Sequence, residues 1–360
     1  MKILFIAKPL SKSGNGVVSA MESELKYLQQ MEDVALFNIG VELDKGIAKN
    51  MYHVKDYKKI SDLPSPYNNP DLVVFEEVYK LEYFKLYNEC LRRKIPYIVI
   101  PHGCLVEVEQ RNKRLKHMAA NILIFNRYIK KAIAVQFLNE QEKNNSKFSY
   151  RKSIIIPNAI DYNKRTYSKD KKTFKFIYIG RYAVKVKGLD LLIQTFINLK
   201  DWCKENNVIL ELYGPLEENE ELELLKSKIK DNKCSNYIKI NGPVFGDEKA
   251  KKLQEASVFI QTSRHEGQPM GIIEAMSYGL PCIVTYETSF GEACNKNKCG
   301  IGVSFLEEEL KNAIIKIYQD KDYAKTCEKN AIIYMKENFE LKKVTEKTIE
   351  IYKELLKNKE

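Results

Sequence analysis

The chain has 360 residues, of which 44% are hydrophobic and 30% are charged, and its formal net charge is +11. A length above about 250–300 residues favours two domains, because one hydrophobic core rarely grows larger. The composition excludes a mostly disordered chain. The excess of basic residues favours an anionic partner, which is nucleic acid, a membrane surface or a phosphorylated ligand.

The cysteines and the apolar runs bear on the cellular compartment. The chain contains eight cysteines, and none of them forms a C-x-x-C pair or a metal-finger spacing, which is typical of a reducing compartment. The apolar run at Met1–Ala7 is too short for a signal peptide. No run reaches the roughly 18–20 apolar residues of a membrane-spanning helix. We therefore expect a cytoplasmic protein.

Short apolar runs alternate with amphipathic segments along the first half of the chain. The apolar runs predict strands at Ile3–Ala7, Leu72–Phe75, Tyr97–Ile100, Ala132–Phe137 and Ile154–Ile156. The helical periodicity predicts helices at Val17–Gln30, Leu81–Arg93 and 112–130. Strands that are apolar throughout are typical of a parallel sheet covered on both faces.

The same alternation begins again after a polar, lysine-rich stretch at Asp161–Lys172, which we interpret as a linker. The predicted strands are Phe174–Ile179, Val208–Tyr213, Tyr237–Ile240, Val258–Gln261 and Pro281–Thr285. The predicted helices are Leu189–Leu199, 306–319, 323–337 and 341–357. The sequence thus predicts two α/β domains, at 1–160 and 161–338, and a closing helix at 339–360.

The most informative segment follows the predicted strand Val258–Gln261. Pro269 suits the first turn of a helix, because the N–H group that proline lacks is not needed there. Gly279 and Pro281 end that helix about three turns later. The segment therefore predicts a loop and a helix N-terminus at the carboxyl end of a parallel strand, which is where ligands of such sheets bind.

Two carboxylates and two backbone N–H groups of this segment are candidate ligand contacts. The free N–H groups near Met270 and Gly271 are suited to binding phosphate. Glu266 and Glu274 lie eight residues apart and can accept hydrogen bonds from sugar hydroxyls. The alternative is that Glu274 only stabilises the helix dipole and Glu266 is simply exposed. The regular spacing of glycine and proline around both favours a site.

These motifs resemble the retaining family 4 glycosyltransferases of the GT-B fold. The resemblance covers nearly the whole chain, and its strongest part is the pair Glu266 and Glu274 in an E-x7-E arrangement before a helix that ends Gly-Leu-Pro. The other motifs are Ile179-Gly180-Arg181, Lys187-Gly188, Ile156–Asp161 with Ala159 where glycine is usual, Gly242-Pro243 and the closing helix. The resemblance implies two Rossmann-like parallel-sheet domains facing a central cleft, with the C-terminal helix returning toward the first domain.

The resemblance also implies an activity. It points to a retaining glycosyltransferase that moves a hexose or N-acetylhexosamine from a nucleotide diphosphate sugar, UDP-linked, to a hydroxyl of a glycan or lipid-linked glycan. The implied pathway is the biosynthesis of a cell-surface polysaccharide. The first domain is expected to bind the acceptor and the second to bind the donor. No metal and no other cofactor is expected.

Sugar transfer needs groups that stabilise a departing diphosphate, which accumulates negative charge. Arg181 offers a planar set of donors and Lys187 a compact charge, and both suit phosphate oxygens in place of a divalent cation. Taken alone, Arg181 is consistent with a surface salt bridge, and Lys187, in a chain so rich in lysine, is more simply explained as a solvated residue at a helix start. The resemblance places Glu266 at the donor sugar hydroxyls and Glu274 at the nucleotide ribose. It implies same-face substitution, and a covalent intermediate on Glu266 is the alternative.

The first half adds a glycine loop and a histidine to the nucleotide-sugar site. Gly14 and Gly16 lie between the first strand and the first helix, where glycine lets a backbone approach a ligand, although an ordinary β–α turn is equally consistent. His102 directly follows the strand Tyr97–Ile100 and Pro101. A lone histidine is more often structural, but the resemblance places one here in the sugar pocket, where it can polarise the sugar or the β-phosphate.

The basic residues are concentrated in one segment. Between Gln110 and Asn139 there is no acidic residue, while seven Lys or Arg residues interleave with apolar ones. This predicts a basic amphipathic helix at 111–131 that rests on an anionic membrane, peripherally on the inner face of the cytoplasmic membrane. The alternative is a domain helix with a solvated basic face. Nucleic acid is not expected, because the segment has no recognised motif or stacking platform.

Two other functions are consistent with the same motifs. One is a non-catalytic glycosyltransferase-like subunit, which would be expected to have lost some of the residues proposed above. The other is a nucleotide-sugar epimerase or hydrolase of the same fold. Binding and turnover of UDP-, GDP- and ADP-sugars distinguish these functions from transfer.

Overall fold

The structure is a computed structural model that describes residues 1–9, 16–43, 48–106, 125–146, 148–162, 173–216 and 220–357, with only the backbone of residues 16–20. The chain divides into two units. Unit 1 comprises Met1–Asp161 together with Phe339–Glu360, and unit 2 comprises Tyr162–Asn338. Gly14, all but the first two residues of the predicted linker Asp161–Lys172, and most of the predicted basic helix lie outside the described residues.

Unit 1 is built on a parallel sheet in the described residues. Its strands are β1 (Lys2–Ala7), β2 (Asp33–Asn38), β3 (Met51–His53), β4 (Leu72–Glu76), β5 (Tyr97–Ile100), β6 (Ala134–Phe137) and β7 (Ser153–Ile155). Its helices are α1 (Gly16–Met31), α2 (Tyr83–Arg93), α3 (Asn126–Lys131) and α4 (Glu140–Asn144). The strand order is β3-β2-β1-β4-β5-β6-β7, and all pairs are parallel.

The strands of unit 1 are apolar because both faces of the sheet are covered. In β4, every side chain is buried, and successive residues enter different cores: Val73 and Phe75 pack on one face, and Leu72 and Val74 on the other. Burial on both faces removes the apolar–polar alternation of a one-sided sheet. The order of the strands reverses direction between β1 and β4, which creates a ligand-binding position at their carboxyl ends.

The C-terminal helix of the chain belongs to unit 1. This helix, α14 (Leu341–Lys357), buries Ile349, Tyr352 and Leu355 in the same core as residues of α1. The Tyr352 hydroxyl donates a hydrogen bond to Gln136 Oε1 at 2.6 Å, at the buried sheet surface. The chain enters this helix through Phe339, whose carbonyl accepts from the Ile160 N–H at 3.0 Å. The return of the C-terminal helix to the first domain is therefore confirmed.

Unit 2 repeats the architecture. Its strands are β8 (Phe174–Ile179), β9 (Val208–Tyr213), β10 (Ile238–Asn241), β11 (Val258–Gln261), β12 (Cys282–Thr285) and β13 (Gly300–Val303). Its helices are α5 (Val184–Lys187), α6 (Leu189–Asn198), α7 (Lys200–Glu205), α8 (Glu220–Asp231), α9 (Gly246–Glu255), α10 (Met270–Ser277), α11 (Gly291–Asn297), α12 (Glu307–Gln319) and α13 (Lys321–Asn338). The order is β10-β9-β8-β11-β12-β13, again parallel.

The predicted fold class, two parallel α/β units, is confirmed, but three strands were not predicted. These are β2, β3 and β13. The last has the sequence Gly-Ile-Gly-Val, and glycine disfavours strands. This pairing needs glycine, because a Cβ at Gly300 would overlap the backbone of Cys282 on the neighbouring strand. Contact with another strand, rather than local preference, decides β13.

The described residues bear on the predictions about membranes and metal ions. In this part of the chain, no helix combines the length and apolar character needed to cross a membrane. Among the same residues, no group of three or more His, Cys, Asp or Glu side chains is placed to hold a metal ion.

Candidate functional site

The candidate donor site lies at the carboxyl edge of the unit 2 sheet, beside β8 and β11. These two strands are adjacent and parallel, and the strand order reverses direction at this position. A crevice at such a reversal point is where open α/β sheets bind ligands. The loop after β8 carries Arg181, and the loop after β11 carries Glu266, so the topology brings these two predicted loops to one edge.

Glu266 is held by three donors that converge on one of its oxygens. Glu266 Oε1 accepts from Lys187 Nζ at 2.6 Å, from Gln261 Nε2 at 2.7 Å and from Ser263 Oγ at 2.6 Å. Gln261 and Ser263 are buried, and the Gln261 amide also donates to Ser263 Oγ at 3.1 Å. Within the described residues, the other oxygen, Oε2, has no hydrogen-bond partner. The carboxylate is therefore oriented by one oxygen and keeps the other for a ligand.

A second set of contacts ties the two loops together. The Arg264 guanidinium donates to both carboxylate oxygens of Asp190 at 2.9 Å, and the Arg264 N–H donates to the Val186 carbonyl at 2.8 Å. Burial alone would raise the pKa of Asp190, but its pairing with Arg264 lowers it. The Arg264 side chain also lies over the Phe305 ring, 4.1 Å from the centroid. These bonds fix the backbone on both sides of the Lys187–Glu266 pair.

Gly188 permits the closest approach of the two loops. Its backbone is left-handed, with φ of +63°, and a Cβ there would overlap the carbonyl oxygen of Thr262. The Thr262 hydroxyl donates to the Gly188 carbonyl at 3.0 Å. Only glycine combines this conformation with the close contact, so the Lys-Gly motif has a structural reason as well as a chemical one.

Arg181 stands at the end of β8 with its side chain exposed. In the described residues its guanidinium forms no ion pair. Its backbone is fixed, because the buried Tyr178 hydroxyl donates to the Arg181 carbonyl at 2.9 Å. Burial, followed by the nearby Glu266 carboxylate, raises the pKa of Tyr178 well above its usual value. Arg181 is thus a solvent-facing cation on a rigid strand end.

Glu274 lies on α10, which begins at Met270 after Pro269. The helix is eight residues long, shorter than predicted. A Cβ at Gly271 would lie 3.2 Å from the Ile179 carbonyl oxygen, so the helix start packs directly on the end of β8. Glu274 Oε2 forms an ion pair with Lys249 on α9. The ion pair of Glu274 is therefore with a lysine of α9 and not with Lys187.

His102 and Gly16 belong to unit 1. Gly16 is the first residue of α1. His102 follows β5, its side chain is 8% exposed, and its Nε2 contacts Glu76 Oε2 at the end of β4. Its backbone is left-handed, with φ of +49°. Both residues therefore lie at the carboxyl edge of the unit 1 sheet. Gly16 is on the segment after β1, where the strand order reverses, and His102 follows β5, the neighbour of β4.

Several residues that complete these arrangements were not identified from the sequence. They are Gln261, Ser263, Arg264, Asp190, Lys249 and Glu76. The first three lie next to predicted residues, and a polar run directly after an apolar strand was the available signal. Asp190, Lys249 and Glu76 are distant in sequence from their partners. No local pattern distinguishes them from the many other charged residues of the chain.

Comparison with known proteins gives a family match to unit 2. Residues 160–334 match the family model described as "Glycosyl transferases group 1". The chain is 26% identical over 201 residues to an uncharacterized glycosyltransferase of Methanocaldococcus jannaschii, covering 55% of this chain and 50% of that protein. It is 31% identical over 163 residues to the alpha-monoglucosyldiacylglycerol synthase of Acholeplasma laidlawii, covering 45% and 39%. The chain thus spans about half the length, or less, of these relatives.

Comparison of structures concerns the whole fold. The chain superposes on Anabaena HepE, solved in complex with UDP and glucose, with a TM-score of 0.76 and 16% identity, covering 98% of this chain and 100% of that one. At this identity the likeness concerns the fold alone. The chain therefore has the GT-B fold, with two Rossmann-like parallel-sheet units, as predicted.

Proposed function

We propose that this chain, whose residues 160–334 match the group 1 glycosyl transferases, is a retaining, metal-independent family 4 glycosyltransferase. It transfers a hexose or N-acetylhexosamine from a UDP-linked donor to a hydroxyl of a glycan or lipid-linked glycan, in the synthesis of a cell-surface polysaccharide. The observation that carries the proposal is Glu266, oriented through Oε1 by Lys187, Gln261 and Ser263. A carboxylate held in this way at a sheet edge suits the hydroxyls of a bound sugar.

The donor diphosphate is bound by two cations of the segment that follows β8. Arg181 is exposed at the end of β8, and Lys187 is the last residue of α5, with its ammonium on Glu266. Together they stabilise the charge that develops on the departing UDP. The N–H groups of Met270 and Gly271, at the start of α10, add donors to the phosphate. Glu274 accepts the ribose hydroxyls.

The contacts of Glu266 favour same-face substitution over a covalent intermediate. Three donors on Oε1 withdraw charge from the carboxylate and make it a weaker nucleophile. In the proposed step the anomeric C–O bond to the β-phosphate breaks, and the acceptor oxygen bonds to the same face of the sugar. The departing phosphate oxygen takes the acceptor proton. UDP and a glycoside of retained configuration result.

Donor binding is tested by thermal stabilisation of the full chain with UDP-, GDP- and ADP-sugars. We expect UDP-sugars to stabilise the protein. Arg181→Ala and Glu274→Ala are expected to weaken UDP binding by about 10- to 100-fold, since each removes a charge-assisted contact of about 1.4–2.8 kcal/mol. Lys325→Ala, an exposed cation on α13, is the matched control and should bind UDP normally.

The products distinguish transfer from the alternative functions. A glycosylated acceptor supports the proposal. Release of free sugar with no acceptor product identifies a hydrolase, and a changed sugar on UDP identifies an epimerase. Binding without turnover across donors and acceptors identifies a non-catalytic subunit. Equal binding by wild-type, Arg181→Ala and Glu274→Ala proteins contradicts the assigned donor site.

The proposed acceptor is at a membrane surface. In the described end of the basic segment, α3 exposes Arg127, Lys130 and Lys131, and α2 exposes Phe84. The name of the Acholeplasma relative is that of a glycolipid synthase, which supports a lipid-linked acceptor. The proposed location is therefore peripheral, on the inner face of the cytoplasmic membrane.

Cosedimentation with vesicles tests this surface. We expect binding to vesicles rich in phosphatidylglycerol and none to phosphatidylcholine. Changing Arg127, Lys130 and Lys131 to Gln should weaken binding about 100-fold, since each charge near the surface contributes ~1 kcal/mol. The matched control changes Lys228, Lys230 and Lys239, exposed in unit 2, to Gln. Equal loss in both triple variants would mean that net charge alone drives binding.

A further inference from the structure

Four carboxyl groups surround one buried imidazole in unit 1. The imidazole is that of His102, and the carboxyl groups belong to Glu24 on α1, Glu76 and Glu77 at the end of β4, and Glu142 on α4. In the described residues these are the charged groups that face the ring. The role given to His102 above depends on its position after β5, and these carboxyl groups have no part in it.

The backbone of His102 is held in place by Glu142. His102 and Gly103 both have left-handed backbones, with φ of +49° and +81°. The Gly103 N–H donates to Glu142 Oε1 at 2.5 Å, and the Leu138 N–H donates to Glu142 Oε2 at 2.7 Å. Such a conformation is rare for a residue with a side chain. Each oxygen of the Glu142 carboxylate accepts one of these two bonds, so Glu142 maintains the turn, and ring Nε2 contacts a different carboxylate.

That partner is Glu76. It is 3% exposed and is the last residue of β4, where the Tyr83 hydroxyl donates to its carbonyl at 2.6 Å. Its Oε2 contacts His102 Nε2 directly. In the described residues, no lysine or arginine is ion-paired with Glu76. The imidazole of His102 is therefore the group in contact with the buried Glu76 carboxylate that can neutralise its charge.

The other ring nitrogen of His102 has no partner among the described residues. Nδ1 is buried and forms no hydrogen bond with any residue that the structure describes. A buried polar atom without a partner is unfavourable. A ligand oxygen that accepts a hydrogen bond from Nδ1–H satisfies this atom. When the ring is an imidazolium, an anionic oxygen forms the strongest such bond.

We propose that Glu76 is a positioning residue that holds His102 as an imidazolium, with Nδ1–H as a donor to an anionic diphosphate oxygen of the nucleotide sugar. This inference rests on the proposed function, because it names the group that His102 contacts. It excludes a neutral imidazole, which would suit a sugar hydroxyl.

The electrostatics agree with the geometry. Burial alone would lower the pKa of His102, but the adjacent Glu76 raises it above its usual value, with smaller contributions from Glu142 and Glu77. Glu24 contributes little negative charge at neutral pH, because burial and the nearby Glu76 raise its pKa to about 8. Glu77 is paired with Lys80 at 2.8 Å. Glu76 is therefore the main counter-charge of the ring.

The test combines the titration of His102 by NMR with steady-state kinetics of the full chain. The ring signal is assigned by its loss in His102→Gln. In Glu76→Gln, we expect the proton affinity of His102 to fall about ten-fold or more. Above pH 7, kcat should fall by about 10- to 100-fold with little change in KM for the acceptor. Glu76→Asp should recover part of both effects.

Glu82→Gln is the matched control, because Glu82 is an exposed carboxylate on the same segment, paired with Lys8 at 2.7 Å. It should leave the titration and the rate unchanged. An unaltered His102 titration in Glu76→Gln overturns the proposal. So does an altered titration with an unchanged pH–rate profile. If the wild-type protein transfers no sugar, the proposed function fails, while the titration still decides whether Glu76 holds the imidazolium. Glu76→Asp provides that result if the Gln variant does not fold.

Discussion

Replacing Glu266 with Gln is expected to reduce sugar transfer by about 100- to 1000-fold and to leave UDP affinity within about three-fold. The amide keeps one oxygen as acceptor for Lys187, Gln261 and Ser263, the donors that now converge on Oε1. It replaces Oε2 with an NH₂ group and removes the negative charge. The loss therefore concerns the sugar and the developing positive charge on it, and not the folding of the loop.

The measurement is the rate of transfer together with UDP affinity by calorimetry. Glu292→Gln is the matched control, since Glu292 is an exposed glutamate of the first turn of α11 in the same unit. Transfer at the wild-type rate by Glu266→Gln would contradict the assignment of Glu266 to the sugar. A large loss of UDP affinity would instead place Glu266 at the nucleotide.

The second large effect is expected for Gly188→Ala, which should destabilise unit 2 by about 3 kcal/mol or more. A methyl group at this position would overlap the Thr262 carbonyl oxygen, and the left-handed backbone adds strain. The loops that carry Lys187 and Glu266 would have to separate. We therefore expect lower stability and weaker UDP binding together.

Urea unfolding followed by tryptophan fluorescence measures this effect in unit 2. The chain has one tryptophan, Trp202, whose ring packs on Tyr318 with centroids 5.1 Å apart. Gly242→Ala is the matched control, because no atom lies within 4 Å of a Cβ at that position. It should change stability by less than about 0.5 kcal/mol. Equal midpoints for the two variants would show that the contact at Gly188 is not restrictive.

The parts of the fold that were predicted depend on local patterns. The apolar strand β11, Pro269 before α10 and Gly279 after it are adjacent in sequence, so their spacing alone indicates a strand, a loop and a helix. The same holds for the run Ile179-Gly180-Arg181 at the end of β8. In contrast, β13 was missed, because its two glycines are explained only by close contacts with the backbone of distant residues, Cys282 on β12 for Gly300 and Gly291 on α11 for Gly302.

The candidate site also has residues that the sequence predicted and contacts that it did not. The spacing of glycine and proline around Glu266 and Glu274 indicated a ligand site, and the resemblance to the family 4 glycosyltransferases implied that this site, with Lys187, binds the donor. That Lys187 pairs with Glu266, and Lys249 with Glu274, was not predictable. Charged residues make up 30% of the chain, so sequence offers many equivalent partners for each.

The net charge of +11 illustrates what the sequence determines and what it leaves to the tertiary structure. The sequence by itself determined the two parallel α/β units and the concentration of basic residues in the first half. It also showed which cationic and carboxylate side chains are available to bind a diphosphate and a sugar. These features follow from composition and short-range periodicity. Only the tertiary structure decided which charges meet. Glu76 and His102, 26 residues apart, become partners because the carboxyl ends of adjacent parallel strands β4 and β5 lie at one edge of the sheet.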